Sequence, residues 1–105
     1  MDRRIVWTET AWRDLDQVIQ YIARDSTHYA ASFAREVRDA SRSLSRFAER
    51  GRCVPELGSP DIREVFVGSY RLVYSLSGET LHILGLIHGA RELGTIWKRE
   101  KRSGD

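Results

Sequence analysis

The sequence of 105 residues contains a single cysteine, Cys53, only two prolines and no long apolar run. One thiol excludes an internal disulfide, so a reducing cytoplasm is the expected compartment. No apolar stretch approaches the roughly 20 residues that cross a bilayer, and residues 1–9 lack the apolar core of a signal peptide. These absences argue against a disulfide scaffold and against a membrane protein, and we expect no membrane partner.

Lysine is also scarce, because 15 of the 17 basic residues are arginine. Arginine binds phosphate and carboxylate groups through a planar fork and is always charged. The formal net charge is only +2, and codon usage alone can produce such a bias, so the excess of arginine is weak support for an acidic partner. With 41% hydrophobic and 30% charged residues, the chain has the composition and length of one folded domain.

The apolar pattern predicts the element order β-α-α-β-β-β. Short hairpin turns separate the last three strands, so the expected fold class is α+β, with a helical hairpin packed on one face of a mostly antiparallel sheet. Thr8 or Thr10 is expected to cap the first helix, and Gly51 to end the second. The predicted elements are a strand at 4–8, helices at 11–24 and 28–49, a loop at 51–61, and strands at 62–67, 70–76 and 81–88.

Side chains alternate between the two faces of the strand predicted at residues 70–76. The face expected to lie under the helices is apolar and consists of Tyr70, Leu72, Tyr74 and Leu76. Arg71 falls on the opposite face. Because a two-layer fold covers one side of the sheet, we expect Arg71 to point out of the bare side, where an anionic partner could reach it.

The second predicted helix carries a row of arginines opposite its apolar stripe. The row steps by three and four residues, at Arg35, Arg38, Arg42 and Arg46. Two interpretations stay open: an ordinary solvated helix face, or a contact surface for an acidic partner.

Three segments resemble the RelE/ParE superfamily, the toxins of bacterial type II toxin–antitoxin modules. They are the helix pattern A-W-x-D-L-x-x-V-I-x-Y-I at residues 11–22, IREVFVGSYRLVYSL at 62–76 and ILGLIHGARELGTIW at 83–97. The resemblance covers residues 3–97, nearly the whole domain. We expect one domain over residues 1–97, and the basic composition of residues 98–105 indicates a flexible tail. The resemblance also implies a cognate antitoxin that wraps around the toxin in a hetero-oligomer.

Two mechanisms are known on this fold: RelE-like members cut messenger RNA on the ribosome, whereas ParE-like members poison DNA gyrase. By resemblance, Arg71 and Arg91 match nuclease arginines, and Arg63 lies near the place of a nuclease lysine. Val65 occupies the position of a second nuclease lysine, and Trp97 occupies the position where the nuclease tyrosine is expected. Indole cannot replace a phenol as a proton carrier, so the pattern favours the ParE branch, with RNA cleavage as the alternative.

The candidate contact residues have competing structural explanations. His88 is either a strand-end residue bonded to backbone, a contact for target or antitoxin, or a catalytic base. Arg71 and Arg91 either contact a partner or form salt bridges with Glu64, Glu79 or Glu92. The predicted target or antitoxin contacts are Arg63, Arg71, His88, Arg91 and Trp97, and a nuclease would use Arg71, His88 and Arg91. No cofactor is expected, and the histidine and cysteine spacing argues against a metal site.

Overall fold

The computed structural model describes residues 2–90, which form two helices and five strands. The elements are β1 (Arg4–Trp7), α1 (Glu9–Ala23), α2 (Thr27–Arg46), β2 (Arg52–Cys53), β3 (Ile62–Val67), β4 (Tyr70–Ser77) and β5 (Thr80–His88). The strands lie in the order β1-β5-β4-β3-β2; β1 runs parallel to β5, and the other neighbours are antiparallel. The predicted α+β fold class is confirmed, and the two-residue strand β2 is an addition inside the predicted loop.

Both helices begin at capping side chains. Thr8 accepts a hydrogen bond from Ala11 N at 3.1 Å, and Ser26 accepts one from Tyr29 N at 3.0 Å. The second helix ends at Arg46, three residues before the predicted end, so Gly51 is not its cap. No helix among residues 2–90 combines the length and hydropathy that a membrane span needs.

The main core lies between the helical hairpin and one face of the sheet. Both helices contribute apolar side chains at helical spacing, and the strands contribute every second residue. The fully or almost fully buried members include Phe33, Val37, Leu44, Leu72, Tyr74, Leu81, Ile83 and Leu86. The predicted apolar face of residues 70–76 is therefore confirmed as the face under the helices.

The second face of the sheet is partly covered, contrary to the expectation of a bare side. After β2, the chain folds back across this face and buries Val54 completely against Val73. Leu57, from the same loop, and Ile62 are partly buried beside them. The expectation failed because the cover is a loop, residues 54–61, whose apolar residues follow no helical or strand period.

Candidate functional site

Arg71 lies on the second face of the sheet and is only 8% exposed. Its Nη1 donates to both carboxylate oxygens of Glu56, at 3.0 and 2.9 Å, and to Glu64 at 3.2 Å. Its Nε and Nη2 donate to the Gly89 carbonyl at 3.2 and 2.9 Å. The expectation of an outward-pointing, exposed Arg71 was wrong, and the alternative of a salt bridge to Glu64 is confirmed.

A second guanidinium completes the group around Glu64, which is 1% exposed. Arg52 Nε donates to the other carboxylate oxygen of Glu64 at 2.7 Å. We call Arg52, Glu56, Glu64 and Arg71 the ion cluster. The cluster forms because β3 places Glu64 on the face that carries Arg71 in β4, while the loop 54–61 brings Glu56 over both.

The two cations and two carboxylates of the ion cluster balance each other. Burial alone lowers the pKa of Arg71, but the hydrogen bond that Arg71 donates to Glu56 and the charges of Glu64 and Glu56 outweigh burial, so the pKa lies above its ordinary value. Arg71 is therefore held as a cation by its own carboxylates. With no excess positive charge, the ion cluster offers little attraction to an incoming phosphate.

Arg63 lies on the opposite face of the sheet, where it supports the turn that follows α2. Its Nη1 donates to the carbonyls of Gly51 at 2.9 Å and Glu49 at 3.5 Å. Tyr74 supports the same turn, since its hydroxyl donates to the Ala48 carbonyl at 2.7 Å and accepts from Gly51 N at 3.1 Å. Burial raises the pKa of Tyr74 above its ordinary value, although the Gly51 N–H and nearby guanidinium groups partly oppose the shift.

The close approach at this turn explains the glycine. A Cβ on Gly51 would lie 2.7 Å from the Glu64 carbonyl oxygen and would also overlap the Tyr74 hydroxyl. Gly51 was predicted to end a helix, whereas the structure requires it for packing against β3 and β4.

His88 ends β5 on the helix-covered face, opposite Tyr70 of β4. Its imidazole packs edge-on against the Tyr70 ring, with centroids 5.4 Å apart, and its Nδ1 accepts from Ala90 N at 3.1 Å. Of the three alternatives for His88, the backbone-bonded strand end describes this geometry. The residue is exposed, so its imidazole is accessible to a partner.

The site residues predicted from sequence do not come together at one place in the structure. Arg71 lies on one face of the sheet, whereas Arg63 and His88 lie on the other. Arg63 is the cross-strand partner of Tyr74, and His88 is the partner of Tyr70. Tyr70 and Tyr74 are about 13 Å apart along β4 at the usual strand rise, so Arg63 and His88 are also well separated. Over residues 2–90, therefore, no arginine of the predicted set stands beside His88 to form a phosphate-cleaving site. Arg91, Trp97 and the predicted basic tail lie outside the described residues.

Two members of the ion cluster were not predicted from sequence: Glu56, which binds Arg71, and Arg52, which binds Glu64. Glu64 carried a usable signal, because a carboxylate inside the apolar run IREVFV needs a buried cation. The sequence around Glu56 gave no such signal, since the contact of Glu56 with Arg71 depends on how the loop folds back over the sheet.

Sequence and fold comparisons both lead to toxins of type II toxin–antitoxin systems. The family model described as the ParE toxin of the type II toxin–antitoxin system parDE matches residues 5–93. Toxin RelE2 of Caulobacter vibrioides is 34% identical over 89 residues, which is 84% of this chain and 97% of that protein. The chain therefore belongs to the ParE toxin family, within the superfamily that the sequence resembles.

Solved structures share the same fold. The chromosomal ParDE system of P. aeruginosa superposes with a TM-score of 0.67 at 19% identity, over 82% of this chain and 95% of that one. The RelBE2 complex of Mycobacterium tuberculosis has a TM-score of 0.58 at 24% identity, over 84% and 99%. The DinJ–YafQ complex of E. coli has a TM-score of 0.62 at 13% identity, over 86% and 96%.

Proposed function

We propose that this toxin acts in the cytoplasm by inhibiting DNA gyrase, without cleaving RNA, and that a cognate antitoxin neutralises it. The observation that carries the proposal is the separation of Arg71 and His88 on opposite faces of the sheet, with Arg71 already bound to two carboxylates. The ParE family model supports the choice of gyrase as the target.

Cleavage of RNA by its own 2′-hydroxyl would require more than the described residues bring together. A base must take the hydroxyl proton, an acid must protonate the leaving oxygen, and cations must stabilise the phosphate. To bind phosphate, Arg71 would first have to release Glu56, Glu64 or the Gly89 carbonyl. Breaking a buried, balanced ion pair is costly, so a binding mechanism fits this chain better than phosphate chemistry at Arg71.

The antitoxin proposal is supported by the solved relatives. RelBE2 and DinJ–YafQ are toxin–antitoxin complexes, and ParDE is a toxin–antitoxin system. We propose that this chain forms a hetero-oligomer with its own antitoxin in the same way. His88, with its accessible imidazole, remains a proposed contact residue.

A supercoiling assay with purified gyrase and relaxed plasmid tests the proposed target. The full chain is expected to block supercoiling and to leave linear DNA after denaturation of the trapped complex. Addition of the cognate antitoxin should restore supercoiling. Undiminished supercoiling with no linear DNA, at toxin in molar excess over gyrase, would overturn the proposal.

The alternative, ribosome-dependent RNA cleavage, is favoured by one observation: the similarity to Toxin RelE2. It is tested by adding the toxin to a translation extract and mapping the ends of the message. We expect no cuts positioned by codons. Cuts that disappear in the His88→Gln variant would assign the toxin to the nuclease class instead.

A further inference from the structure

The turn that follows α2 exposes a large aromatic side chain among arginines. Phe47 is 59% exposed, although Leu44 and Ala48 on either side of it are buried. Arg3, Arg46 and Arg50 line the same cleft as Phe47, which has a volume of about 470 Å³. Glu49 also lines the cleft and offsets part of its positive charge. An exposed aromatic ring beside several cations is typical of a binding surface.

The cleft is held in shape by hydrogen bonds from beneath. Tyr74 and Arg63 bind the backbone of residues 48–51, as described above. On the other side, Arg3 N donates to the Ser45 carbonyl at 2.8 Å, and Ser45 Oγ donates to the Arg3 carbonyl at 2.8 Å. A rigid backbone under exposed side chains reduces the entropy lost when a ligand binds.

The row of arginines on α2 continues from this cleft through Arg46. Arg35 and Arg42 are exposed and, within residues 2–90, form no salt bridge. Arg38 pairs with Asp39 at 3.4 Å, and Arg46 pairs with Asp2 at 3.7 Å, both at exposed positions where such pairs are weak. The row spans about 16 Å along the helix at 1.5 Å per residue.

We propose that the cleft and the arginine row together bind single-stranded DNA. Arginines along a groove contact successive phosphates, and an exposed aromatic ring stacks on an unpaired base. In a duplex the bases are stacked inside, so Phe47 could contact a base face only by unstacking a base step, which costs a few kcal/mol. The choice of DNA over RNA rests on the proposed function, because a gyrase inhibitor acts next to DNA.

Fluorescence anisotropy with a labelled single-stranded 15-mer tests the electrostatic part. The Arg46→Gln/Arg50→Gln variant is expected to bind about tenfold more weakly than wild type, because it loses two phosphate contacts. The slope of log affinity against log salt should fall by about 1.4, at roughly 0.7 per contact for single strands. The Arg13→Gln/Arg24→Gln variant removes the same charge from exposed positions elsewhere and should bind within twofold of wild type.

Substitutions of Phe47 test whether its ring stacks on an unpaired base. Phe47→Ala is expected to weaken binding about tenfold, within the usual range for loss of one base–aromatic stack, whereas Phe47→Trp should retain affinity. Circular dichroism establishes that each variant is folded.

Three results would overturn the proposal: no binding at low salt, equal losses in the two arginine double variants, or tighter binding of RNA or duplex of the same sequence. The assay contains no gyrase, so its failure leaves the supercoiling result to be judged separately.

Discussion

Glu64 is the residue on which the ion cluster depends, because its two oxygens bind two different guanidinium groups. It is 1% exposed, and Arg71 beside it is 8% exposed. Removing one partner of a buried ion pair leaves an uncompensated buried charge. The free energy of unfolding then falls far more than it does on loss of an exposed pair. The cluster is therefore a structural element that holds the loop 54–61 and the Gly89 carbonyl against the sheet.

The Glu64→Gln variant should lower the free energy of unfolding by about 3 kcal/mol, because Arg71 then lies buried with one carboxylate in place of two. Urea denaturation measures this difference. Glu9→Gln is the matched control, since Glu9 forms an exposed pair with Arg13 and its loss should cost less than about 1 kcal/mol. Equal destabilisation by the two variants would show that the cluster does not stabilise the fold.

Tyr74 should give the protein a measurable alkaline pH dependence. Its pKa is raised in the folded state by burial, so between the unfolded and folded pKa values the folded state binds more protons than the unfolded state. Stability from this group is fully present below the unfolded pKa of about 10 and is lost as pH rises through the folded pKa.

The Tyr74→Phe variant should therefore lose stability less steeply than wild type as the pH rises above 10. At neutral pH the variant should be about 1–3 kcal/mol less stable, since the Ala48 carbonyl and the Gly51 N–H lose their buried partner. Urea denaturation from pH 7 to 11 measures both effects. Parallel stability curves for the two proteins would contradict the assignment to Tyr74.

The side chains that cap the two helices form different sets of hydrogen bonds. Ser26 binds one N–H of its own helix, whereas the Thr8 hydroxyl also donates to the Ile83 carbonyl at 2.8 Å. Thr8 thus joins the start of α1 to β5, in addition to capping the helix.

Replacing the caps by alanine should separate these roles. Ser26→Ala is expected to cost about 1 kcal/mol, the usual value for a cap, and Thr8→Ala about 2 kcal/mol, because a second hydrogen bond is lost. Equal losses in denaturation would mean that the Thr8–Ile83 bond contributes nothing.

The elements with a clear period were predictable from sequence, and those without one were not. The apolar steps of three and four located both helices, but they overran the end of α2, because Phe47 continues the apolar pattern although it lies beyond the helix end and is exposed. Alternation correctly placed Arg71 on the face away from the helices. It could not predict its burial, since Glu56, 15 residues earlier, reaches Arg71 only through the fold of a loop.

At the scale of the whole molecule, charge is divided between distinct surfaces. Arg71 and Glu64 of the balanced ion cluster are buried beside the loop 54–61, whereas the arginines of α2 and its following turn are exposed. The parallel pairing of β1 with β5 and the hydrogen bonds between Arg3 and Ser45 bring the N-terminus to the end of α2. Within residues 2–90, the exposed arginine row of α2 thus lies on the helical hairpin, away from Arg71 on the second face of the sheet.

We propose that this toxin acts by binding its target and not by cutting RNA. Its most direct test is to induce the toxin in cells without the antitoxin and to map message ends while scoring the DNA-damage response. We expect intact messages together with filamentation and an active damage response. Codon-positioned cuts and rapid arrest of translation, abolished by His88→Gln, would contradict it.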